Sequence, residues 1–71
     1  MRVKELPAHL GETVIVKGRC GQIMEQYESG GLRAFSLRDD YGDMVVVLTT
    51  QNYPIMGTTV HVTGTPERRG G

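Results

Sequence analysis

The chain has 71 residues, enough for one domain and too few for two. Eight basic and eight acidic side chains cancel to a net charge of zero, so the bulk basic excess typical of strong nucleic-acid binders is missing. The single cysteine, Cys20, excludes an intrachain disulfide and a cysteine zinc cluster, and no apolar run suits a signal-peptide core or a membrane span.

Residues 1–10 mix polar and apolar positions, and Pro7 is expected to stop any helix there. The segment reads as a lead-in, a short turn or strand over Arg2 to Leu6 followed by a loop. Thr13 to Met24 reads as the first strand, because Val14, Ile15 and Val16 are β-branched. Alternation places Val14, Val16, Gly18 and Cys20 on one face and Ile15, Lys17 and Arg19 on the other. Gly18 and Gly21 inside that strand predict a bulge or sharp bend, so that one strand serves two neighbours.

Glu25 to Gly31 reads as a loop with Ser29-Gly30-Gly31 at its tip. Leu32 to Asp39 is the second predicted strand, with Arg33, Phe35 and Leu37 on one face and Ala34, Ser36 and Arg38 on the other. Asp40-Tyr41-Gly42-Asp43 is a tight turn, and Met44 to Thr49 is the third strand, completing a hairpin. Its Val45-Val46-Val47-Leu48 run is too apolar to be exposed on both faces. A loop around Asn52-Tyr53-Pro54 follows, then a fourth strand from Thr58 to Thr63. Residues 65–71 read as a polar, frayed tail. No segment carries a helical apolar stripe, so the whole chain reads as one all-β sandwich or barrel.

The order of these features is familiar: a glycine-bearing strand (VIVKGRCGQI), then Phe35, Leu37 and Asp39 in an F-x-L-x-D strand. A turn with Asp40 and Gly42 follows, then the apolar strand, then P-x-x-G-x-x-V-x-V-x-G from Pro54 to Gly64. This pattern resembles the OB-fold domains of the tRNA-anticodon-binding and replication-protein-A-like kind, from about Gly11 to Gly64. The resemblance implies a small OB-like Greek-key barrel. That fold has five strands, and four are readable here, so the barrel is expected to lack its fifth strand or to be truncated there.

The resemblance further implies binding of single-stranded DNA or RNA, weak and sequence-tolerant, on the outward face of strands one to three and the loop after strand one. The residues this places there are Lys17, Arg19, Tyr27, Arg33, Ser36, Arg38 and Tyr41. Arginine forks suit phosphates, and exposed aromatic rings stack bases. Ordinary solvated strand positions explain the arginines equally well, and alternation sets Arg33 awkwardly beside Phe35 and Leu37. Phe35 itself reads as core.

No enzyme is expected: no nucleophile elbow and no glycine-rich loop before a helix is found. No cofactor or metal is expected either. His9 and His61 lack metal-ligand spacing, and Asp39, Asp40 and Asp43 read as turn formers. Cys20 reads as a small buried hydrophobe, and a reduced lone thiol suits the cytoplasm. Two other readings stand beside nucleic-acid binding. An open sheet edge suits a protein-interaction module that pairs with a partner strand or with a second copy. The Arg68-Arg69-Gly70-Gly71 ending suits a ubiquitin-like modifier, although that fold needs a central helix.

Overall fold

The computed structural model describes residues 1–69. The Gly70-Gly71 ending of the modifier reading lies outside them. Four strands form one antiparallel sheet: β1 (Val14–Ile23), β2 (Arg33–Arg38), β3 (Met44–Thr49) and β4 (Thr59–Gly64), in the spatial order β3-β2-β1-β4. All four fall within a residue or so of their predicted bounds.

β1 is the long bent strand that its glycines predict. Its first part pairs with β4, from Val14 opposite Gly64 to Arg19 opposite Thr59. Its second part pairs with β2, with Cys20 opposite Leu37, and the register slips between Cys20 and Ile23. Gly21 sits at that slip, where a Cβ would lie 2.6 Å from the Ser36 hydroxyl. Gly18 allows an equally close approach, since a Cβ there would meet the Arg38 carbonyl oxygen at 2.7 Å and Leu37 Cγ at 2.9 Å. The two glycines thus let β1 bend closely against its partner β2 and curl the sheet.

The curl gives an OB-like half-barrel with four strands and an open side between β3 and β4. Its inner face carries Val16, Cys20, Phe35 and Leu37, all buried, with Val14, Val45, Val47, Val60 and Val62 partly buried around them. Cys20 and Leu37 are sealed from solvent. Between the two edges the interior opens as an apolar cleft of about 1170 Å³.

The lead-in differs from expectation. Val3–His9 forms a 3₁₀ helix with Pro7 inside it, where the sequence pattern predicts a turn or strand and then a loop. Proline's fixed φ suits 3₁₀ geometry, and the short bonds of that helix tolerate one missing N–H better than an α-helix does. Val3 and Leu6 from this helix are buried against the inner face and cap one end of the cleft. The loop after β1 also tightens into a single 3₁₀ turn, Glu25–Tyr27. Its tip is built by Gly30 and Gly31, both at positive φ. The tail is anchored at its start, where Gly11 N–H donates to the Pro66 carbonyl at 3.1 Å.

Candidate nucleic-acid interface

The outer face of β1 carries Ile15, Lys17 and Arg19, all exposed, as strand alternation requires. Pairing then decides which side chains surround them. Arg19 lies directly opposite Arg38 of β2, and Lys17 lies directly opposite His61 of β4. Residues opposite one another in a sheet share a face. Four basic side chains from three strands therefore stand on one surface. A shallow depression of about 330 Å³ lies among them, lined by Arg19, Gly21, Arg38, Asp39, Asp40 and Thr59.

Two like charges directly opposite each other repel. Among the described residues, Arg19, Arg38 and Lys17 form no salt bridge. Arg38 spends one N–H on the Gly42 carbonyl at 2.5 Å, which holds the guanidinium beside the β2–β3 turn.

Two carboxylates, Asp39 and Asp40, line the same depression, while most of the other acidic side chains are held by partners away from it. Glu5 accepts from Arg2 N–H at 3.0 Å, and Glu12 lies 3.3 Å from His9 Nδ1. Asp43 stands 3.9 Å from Arg2, and Glu67 pairs closely with Arg69. Asp39 is buried, and its carboxylate accepts three backbone N–H groups: Val3 at 2.8 Å, Tyr41 at 3.0 Å and Asp43 at 3.1 Å. The bond from Val3 is the main reason its pKa falls below the ordinary value, against the opposing effect of desolvation. Asp39 is thus committed to joining the N-terminal helix to the β2–β3 turn.

A second polar lock lies between the loops. The Tyr53 hydroxyl donates to Glu28, which also accepts from Ala34 N–H at 2.9 Å. The bond from Tyr53, followed by that from Ala34, holds Glu28 below its usual pKa, and the bond to Glu28, followed by desolvation, raises that of Tyr53.

The seven residues singled out from the sequence separate accordingly. Lys17, Arg19 and Arg38 come together, and Tyr41, exposed at 65%, sits on the turn just past Arg38. The Arg2 guanidinium lies over the Tyr41 ring, 3.6 Å from its centre. Tyr27 is exposed but lies by the mouth of the inner cleft, away from the depression. Arg33 turns to the loop after β3, donating to the Thr50 and Gln51 carbonyls at 3.3 and 3.5 Å and facing the Tyr53 ring at 5.9 Å. Ser36 is buried on the outer side of β2 against Gly21 of β1, and its hydroxyl accepts from Gln22 N–H at 3.0 Å.

Compared with known proteins, the chain matches no family model, no curated protein and no solved structure. The reading of the site rests on its own geometry.

Sequence reasoning missed Arg2 and His61. The Val60-His61-Val62 alternation marks His61 as outward-facing, but only the β1–β4 register sets it beside Lys17. Nothing local to Arg2 signals that it reaches Tyr41, because that contact depends on Asp39 drawing in the N-terminal helix. Among the described residues, no three His, Cys, Asp or Glu side chains are grouped to hold a metal ion. No helix there is long and apolar enough to cross a membrane.

Proposed function

We propose that the chain binds single-stranded DNA or RNA weakly and without sequence preference, through the outer face around Arg19 and Arg38. The observation that carries this reading is the unneutralised Arg19–Arg38 pair, held opposite across β1 and β2. An extended phosphate backbone relieves the repulsion of two facing guanidiniums and offers each a bidentate acceptor. Lys17, one alternation step along the same face, and His61 beside it extend the track.

Tyr41 with the stacked Arg2 supplies one surface on which a base can lie. A single such platform next to three permanent cations predicts low affinity, governed by salt. The OB-like fold is compatible with this use but does not by itself imply it. The role is non-enzymatic and requires no cofactor, and a cytoplasmic setting suits the sealed Cys20 thiol.

Fluorescence anisotropy of a labelled oligothymidine and an oligouridine at low salt tests the proposal. Binding is expected in the wild type, with loss of roughly tenfold or more in the double variant Arg19→Glu, Arg38→Glu. Arg33→Gln and Tyr27→Ala, which lie off the face, are expected to bind like the wild type. Equal binding by the double variant and the wild type would exclude this face.

A further inference from the structure

β3 is an edge strand without the charges, proline or bulge that usually protect one. Edge strands in soluble proteins carry charges, proline, bulges or covering loops that prevent pairing with another chain. Met44–Thr49 has no charged residue, no proline and no glycine, and its register with β2 is unbroken from Arg38–Met44 to Arg33–Thr49. It is also apolar on both faces. Val45 and Val47 belong to the inner face, while Met44, Val46 and Leu48 lie on the outer face opposite Arg38, Ser36 and Ala34. Apolar side chains on both faces leave this edge without the outward polar alternation of a half-solvated antiparallel strand. The other edge, β4, carries Thr59, His61 and Thr63 outward.

We propose that β3 is a homodimer seam, at which a second copy's β3 pairs antiparallel with it around a two-fold axis perpendicular to the sheet. The case for a second copy, ahead of an unrelated strand, is self-complementarity. Such an axis keeps each face on its own side, so paired residues must differ by an even number of positions. Centring the pair on Val46 sets Val46 against Val46, Met44 against Leu48, Val45 against Val47 and Asp43 against Thr49. Every member of the apolar run then meets an apolar partner, and no charge meets a like charge. The zero net charge of the chain removes any general repulsion between copies. The result is one continuous sheet in which both Arg19–Arg38 faces look the same way, although the pairing does not depend on what those faces bind. A seam of one six-residue strand per copy is small against the ~1,000 Å² of a stable interface, so association is weak and concentration-dependent.

The test is sedimentation equilibrium of the 71-residue chain from about 10 μM to about 1 mM, with amide hydrogen exchange across the same range. The mass is expected to rise from one chain towards two, with protection growing at β3 amides and not at β4. Val46→Lys sets two ammonium groups against each other at the axis and is expected to abolish the rise. Met44→Lys, at an already exposed position, is a gentler variant expected to weaken it without loss of fold. Thr63→Lys on β4 is expected to leave it unchanged. Overturning results are a single mass up to the highest concentration, assembly beyond two chains, growing protection at β4, or a dimer that survives both β3 variants.

Discussion

At the scale of single residues, two positions show how closely local geometry is set. Gly18 is not required by its backbone angles but by space, since β1 passes the Arg38 carbonyl with no room for a methyl group. Gly11 is the reverse, with open space around it and φ of +82°. Gly18→Ala is therefore expected to cost about 1–3 kcal/mol by forcing β1 away from β2. Gly11→Ala is expected to cost about 1 kcal/mol from backbone strain alone. Urea unfolding of the two variants checks the order. Asp39 gives a pH prediction. Asp39 and Glu28 are held below their ordinary values of 3.8 and 4.5 in the folded chain. As pH falls, the unfolded chain takes up protons first, and each proton favours unfolding. Their stabilisation is therefore complete above about pH 5 and is lost as pH falls through about 4 and below. Asp39→Asn lowers stability at neutral pH and flattens this acid limb, leaving the part due to Glu28. Urea midpoints between neutral and acid pH read the difference, and an unchanged slope in the variant would remove Asp39 from the account.

At the scale of elements, strands were legible because alternation and turn residues act over a few positions. β1 shows this best, with Val16 buried and the neighbouring Ile15 56% exposed. Leu37→Ala, at a sealed inner position, is expected to cost about 2–5 kcal/mol. Ile15→Ala on the outer face is expected to change stability by less than about 0.5 kcal/mol. Thermal unfolding of the pair checks whether the faces are assigned correctly. The N-terminal 3₁₀ helix was not legible, because proline argues against a helix in general while permitting this one. Only contacts distant in sequence, Val3 to Asp39 and Leu6 to the inner face, hold the segment in place. The same limit applies to the candidate site. Alternation pointed Lys17, Arg19 and Arg38 outward, but the burial of Ser36 follows from the close approach at Gly21. The withdrawal of Arg33 follows from the loop after β3 folding back to meet it.

At the scale of the whole molecule, the chain is a half-barrel whose interior is closed at β1 and β2 and open between β3 and β4. A chain of this size buries a modest share of its surface, and an open apolar cleft lowers that share further. Zero net charge conceals an uneven distribution: Lys17, Arg19 and Arg38 share the outer face without a salt bridge, with Asp39 and Asp40 at one side of the depression between the two arginines. A neutral protein arranged in this way can attract a polyanion locally. The measurement that addresses this most directly is a titration of single-stranded oligonucleotide into the labelled chain at two salt concentrations, followed by amide shifts. Three phosphate contacts at about 0.7 each predict that the logarithm of the binding constant falls with the logarithm of salt with a slope near −2. The account predicts salt-sensitive shifts centred on Lys17, Arg19, Arg38 and His61, with Arg33 and Ser36 little changed. Shifts that are absent at low salt, insensitive to salt, or centred on the inner cleft would contradict it.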